Sequence, residues 1–214
     1  MQTRAKRALI VVFDEVDLLD LAAPIAALTR AGRRWNFRPF HVDIAAVTPG
    51  LVTTRDQLKI EAPLALAAAQ PAELVIVPGG YGARRAADDP AITAELARVA
   101  DGAELVAGIG WGVLALARAG LVGSRRVAAA PEVEPLLVAA CPNAVLDPSL
   151  EPVFDAPLLT ARGAGSALTL GLELVERSFG KKLRSMLESD FSLAMPERLQ
   201  IVGSALPSLA KPND

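Results

Sequence analysis

The chain has 214 residues and a mass of 22.4 kDa; it is 52% apolar but only 4% aromatic, with a formal net charge of −2. That length suits one domain, residues 1–214, able to bury a core of small and branched side chains without disulfides or metals. Near-neutral charge with scattered basic residues excludes the electrostatic footprint of a nucleic-acid binder and a polybasic membrane patch. The single cysteine, Cys141, cannot form an internal bridge, and the first residues lack a signal peptide's apolar core, so a cytoplasmic protein is expected.

The run RALIVVF (7–13) is β-branched and apolar on both faces, as a central parallel strand requires. LLDLAAPIAALTRAG (18–32) follows with apolar residues at helical spacing, Pro24 in a tolerated early position and Gly32 as a stop. HVDIAAVTPG (41–50) and ELVIVPGG (73–80) predict two further strands closed by turn signals. DDPAITAELARVAD (88–101) opens on an Asp cap with proline at the first helical position. ELVAGI (104–109) is a buried strand, and GVLALARAG (112–120) a helix. Beyond lie a short strand at RRVAAA, a helix at VEPLLVAAC, a hairpin between Ala144 and Thr160, two helices from Gly165 to about Leu193, and a frayed tail over 207–214.

Alternating strands and helices predict a parallel sheet with right-handed crossovers: a flavodoxin-like three-layer sandwich with a mostly parallel central sheet and helices on both faces. Ligands of such sheets sit beyond the carboxyl ends of the strands. Four stretches should therefore meet: FDEVDLLD, PGGYGARR, GIGWG and AAAPEVE.

GIGWG has the character of a nucleophile elbow, where a strained residue between strand and helix projects its reactive atom into the pocket. Its central residue is Gly110, which carries no such atom. Two rivals stand beside this reading. A dinucleotide fingerprint would need glycine where Val113 stands and belongs after a first strand. The glycines could also serve only close strand–helix packing.

Four segments carry a resemblance. LDLAAP (19–24), LVIVPGG (74–80), GIGWGVLALARAGLVGSRR (108–126) and CPNAVLDPSLEPVFDAPLLTARGAGSALTLGLELVERSFG (141–180) are similar, in order, to features of the ThiJ/PfpI superfamily. The resemblance is to its branch of isonitrile hydratases and AraC-associated amidotransferase-like domains, with a class I glutamine amidotransferase-like fold. It implies a nucleophilic cysteine at the place of Gly110 and a histidine at the place of Ala130. Both positions are blank, so no Cys-dependent catalysis is expected. The matching catalytic acid persists as Asp20, which could orient water or bind a ligand, or merely cap a helix. Family members are usually homodimers, and the same is expected here.

The expected ligand-binding set is Asp20, Gly79, Gly80, Gly110, Trp111, Ala130 and Pro131. Gly79 and Gly80 could present amides to the pocket or simply end a strand. Trp111 could line the crevice, plug it or pack in the core. Cys141 falls at the end of a helix and reads as structural. The only histidine, His41, has no second His or Cys at zinc spacing, so neither metal nor cofactor is expected. The functional expectation is a family member that keeps a small-molecule crevice without the nucleophile. The alternative is a hydratase or hydrolase working through Asp20 and a bound water. No nucleic-acid or membrane partner is expected, and no helix-turn-helix segment is recognised after residue 200.

Overall fold

The computed structural model describes residues 4–32 and 38–193; the expected tail at 207–214 lies outside them. In chain order the elements are β1 (Lys6–Val12), α1 (Leu18–Arg30), β2 (Phe40–Ala46), β3 (Gly50–Thr53), β4 (Lys59–Ala62), β5 (Leu64–Ala65) and β6 (Leu74–Val77). Next come α2 (Tyr81–Ala87), α3 (Pro90–Ala100), β7 (Leu105–Ile109), α4 (Trp111–Arg118), β8 (Arg126–Val127) and α5 (Glu134–Ala140). The last are β9 (Val145–Leu146), β10 (Val153–Asp155), β11 (Leu158–Ala161), α6 (Ala167–Phe179) and α7 (Lys181–Asp190).

The central sheet has seven strands in the order β10-β11-β7-β6-β1-β2-β5, parallel except where β10 runs against β11. Alternation along each strand divides the core into two layers. Leu9, Val11, Val75 and Val77 face the layer that includes α3, α4 and α5; Ala8, Ile10, Leu74 and Ile76 face α1, α6 and α7. The expected three-layer sandwich is the fold observed. Small residues let its layers close: a Cβ on Gly171 of α6 would lie 2.9 Å from both Pro24 Cα and Ala27 Cβ of α1.

Three features differ from the sequence expectations. PGGYGARR, read as a loop, turns directly into α2, because Gly80 adopts φ 107° and allows the helix to begin at Tyr81. The stretch 50–62 forms an antiparallel hairpin of β3 and β4, outside the main sheet. The hairpin foreseen between Ala144 and Thr160 is confined to β10 and β11, while β9 pairs in parallel with β8.

Register fixes at which end of the sheet each loop lies. Lys6 pairs with Phe40 at one end of β1 and Val12 with Ala46 at the other. His41 therefore sits at the amino end of its strand, exposed beside Asp43 at 3.3 Å, across the sheet from the carboxyl-end loops.

Candidate ligand site over Gly110

Gly110 joins β7 to α4 with φ 51° and ψ −122°, a combination that a side chain tolerates only under strain. Its N–H donates to the Ala161 carbonyl at 2.9 Å, which continues the ladder between β7 and β11 to the last residue of the turn. The position has room for a side chain. A Cβ there would lie 3.6 Å from the Arg162 carbonyl oxygen, 3.7 Å from Asp20 Oδ2 and 3.9 Å from Gly79 Cα, all ordinary contact distances.

Asp20 enters from the first turn of α1. Asp17, not Asp20, caps that helix, accepting from the Leu19 N–H at 3.2 Å. Asp20 lies in phase with buried Pro24, Ala27 and Leu28, and is only 3% exposed. Its Oδ2 accepts the Gly79 N–H at 3.0 Å, while Oδ1 is buried with no hydrogen-bond partner. Burial, reinforced by the Asp17 charge and opposed by the Gly79 bond and Arg55, raises its pKa from 3.8 to about 7. The neutral acid is thus a major form near neutrality, and it brings a proton to donate.

The other carboxylates of the first loop are engaged outside the pocket. Asp14 Oδ1 accepts the Thr53 N–H at 2.9 Å, Glu15 pairs with Arg85, and Asp17 stands 3.6 Å from Arg55.

The glycines around Asp20 are dictated by backbone approach. A Cβ on Gly79 would fall 2.4 Å from Asp20 Oδ2 and 2.9 Å from the Ile109 carbonyl; one on Gly112 would meet the Val77 carbonyl at 2.0 Å. Gly80 forms an isolated bridge with Val16, and Gly79 O accepts the Asp17 N–H at 3.1 Å. The end of β6 is thereby stitched to the entry of α1. Trp111 is half-buried against the core, and the Arg84 guanidinium lies 5.5 Å from its ring centroid.

Asp20, Gly79 and Gly110 thus converge, with Gly80 and Trp111 adjoining them. Ala130 is buried in the α4 layer and Pro131 is exposed; neither supplies one of the three atoms nearest the Gly110 Cβ position. That side is built instead by the turn after β11, which sequence reading did not single out. Its signal was present, because LLTA running into Arg-Gly-Ala-Gly before a helix repeats the strand-to-helix pattern of GIGWG. The turn borders a cleft of about 450 Å³ lined by Leu150, Glu151, Arg162, Gly163, Ser166 and Thr169, among others. Cys141 ends α5 and donates its thiol hydrogen to the Gly123 carbonyl at 3.0 Å. Among the described residues, no group of three or more His, Cys, Asp and Glu could hold a metal ion.

A seven-stranded, mostly parallel sheet with a strand-to-helix elbow beside a buried acid defines an α/β protein of flavodoxin-like fold. Residues 6–177 match the DJ-1/PfpI family, and the chain belongs to it. Protein dj-1beta of Drosophila melanogaster is 26% identical over 182 residues, 83% of this chain and 92% of the relative. Its crystal structure superposes with TM-score 0.78 at 24% identity, covering 90% of this chain and 100% of that one. A ThiJ/PfpI family protein from Pseudomonas syringae superposes at 0.79 with 19% identity, covering 91% and 77%. An AraC family transcriptional regulator from Pseudomonas putida does so at 0.71 with 21% identity, covering 87% and 99%. At these identities the structural likenesses speak for the fold.

Proposed function

We propose that this DJ-1/PfpI protein binds a small molecule over Gly110 without forming a covalent bond to it. The observation that supports the reading is the pairing of an elbow conformation at Gly110, with room for a Cβ, beside a buried acid that has an unpartnered oxygen. Covalent catalysis at such a turn requires a thiolate or an activated hydroxyl, and glycine offers neither. Cys141 is committed to a carbonyl on α5's side of the fold. The hydratase alternative would need Asp20 to pass its proton onward, and Ala130 offers no relay.

Isonitriles, methylglyoxal and small amides should therefore show no turnover sensitive to Cys141→Ser; loss of a real activity in that variant would refute the reading. Gly110→Cys should create a thiol whose alkylation titrates below the ordinary value of about 8.5, since it would stand at a helix N-terminus beside a hydrogen-bond donor. An ordinary thiol pKa there would mean that the surrounding groups do not act on this spot.

The chain acts in our reading as a cytoplasmic homodimer. Support comes from exposed Leu51 and Leu58 on the β3–β4 hairpin and Tyr81 at the start of α2, apolar surface that an isologous contact would cover. A monomeric mass in solution at micromolar concentration would remove this part. No helix among the described residues is long and apolar enough to cross a membrane.

A further inference from the structure

Between the β3–β4 hairpin and α2 lies a cleft of about 560 Å³, within the range of about 300–1,000 Å³ typical of small-molecule sites. It opens at the carboxyl ends of β1 and β2, where Val12 and Ala46 close their strands, and none of Asp20, Gly79 and Gly110 lines it. We propose that this cleft binds a small amphipathic amine, its apolar body on the floor and its ammonium at the carboxylates of Asp14 and Asp89.

The shape follows from the hairpin, whose strands pair only with each other and so stand apart from the main sheet. The floor left beneath it is apolar: Val12, Phe13, Ala46, Val52 and Ala86 line the cleft, and each is at most 7% exposed. Leu51 of β3 stands at the rim, 68% exposed. The opposite wall is fixed, because α2 meets the first loop at Gly82, where a Cβ would lie 2.0 Å from the Asp14 carbonyl oxygen. A hydrocarbon body laid on such a floor leaves water without losing any hydrogen bond.

Charge decides which head group suits it. Two carboxylates line the cleft, and each is anchored by one oxygen. Asp14 Oδ1 accepts the Thr53 N–H at 2.9 Å, and Asp89 Oδ1, capping α3, accepts those of Ala91 and Ile92 at 2.9 and 3.4 Å. Among the described residues neither aspartate makes an ion pair, so the second oxygen of each is left for a ligand while the first holds its carboxylate in place. The one cation in the lining, Arg85, is already neutralised: it pairs with Glu15 and donates to the Asp14 carbonyl at 3.3 Å. The cleft therefore presents net negative charge over an apolar floor, which favours a cation and repels an organic acid. Preorganised acceptors of this kind spare the ligand part of the entropy cost of binding.

The test uses the full chain with three probes of one length: hexylamine, the neutral hexanol and the anionic hexanoate. Binding is followed by NMR through the backbone amide shifts of Thr53, Gly82 and Ile92, with Gly79, Gly110 and Trp111 reporting on the elbow. Hexylammonium should move the first set and not the second, bind more tightly than hexanol and far more tightly than hexanoate, and weaken as salt rises from about 20 to 300 mM. Asp14→Asn and Asp89→Asn each keep an oxygen for the backbone N–H, so the fold is retained, and each should weaken hexylammonium about two- to fivefold. The double variant should bring the amine down to the alcohol. Equal affinity for amine and alcohol in the wild type, or an unchanged amine affinity in the double variant, would overturn the proposal. So would shifts confined to the elbow set, which would leave the reading of Gly110 standing, or no shift with any probe.

Discussion

Two kinds of glycine meet within a few ångströms of Asp20. Gly79 and Gly112 are glycine because another backbone occupies the place of their side chain, at 2.9 Å or less. Gly110 is different: its neighbours stand back to 3.6 Å or more, so only its dihedral angles disfavour a side chain. The first pair keeps the sheet and helices in contact. The third residue leaves room for a Cβ beside the acid and the turn after β11. Close packing does not demand a glycine there, so the idea that all glycines of GIGWG serve packing fails at its central residue.

Substitutions can break or sharpen this contrast. Gly112→Ala drives a methyl into the Val77 carbonyl and should cost upward of about 4 kcal/mol in urea denaturation, or leave no folded protein; a fully stable variant would mean the helix can slide away. Asp20→Asn tests the acid beside them. Because its folded pKa is raised, the stabilising contribution of Asp20 is whole below its unfolded pKa of 3.8 and is lost as pH rises through about 7. The variant escapes that loss, so its advantage over the wild type should grow by about 2–3 kcal/mol between pH 5 and pH 8. Parallel stability profiles would show that Asp20 ionises freely. Smallest is Gly110→Ala, whose methyl meets its neighbours only at ordinary contact distances and carries only backbone strain, about 1–2 kcal/mol. A cost equal to that at Gly112 would erase the distinction.

Much of the fold was legible because its signals are local. Residues 8–13 and 74–77 have no polar side to offer solvent, and helical periodicity over 18–32 begins and ends on recognisable residues. The β3–β4 hairpin was not, since GLVT and KIEA alternate weakly and lie apart from the main core. Helix α2 was hidden behind glycines that usually close a turn. At the site, Gly110 and Asp20 could be singled out, but not the burial of Asp20. Four acidic residues crowd into 14–20, and only tertiary packing separates the one held in the interior from three at the surface. A sharper reading of helical phase would have done so, because Asp20 shares its face with Pro24, Ala27 and Leu28. Likewise, the turn at Arg162 becomes part of the site only because β11 lies beside β7, an adjacency no local pattern encodes.

Asp20 and Gly79 have one lasting consequence for each other. The carboxylate occupies the volume into which any side chain at 79 would grow, and it takes its bond from that same residue's nitrogen. Mutational drift at 79 is therefore gated by the acid: a lineage that gains alanine at 79 must first surrender Asp20, and even then the Ile109 carbonyl, 2.9 Å from the new methyl, must give way. Paired change at these two positions would mark when a descendant abandons this pocket.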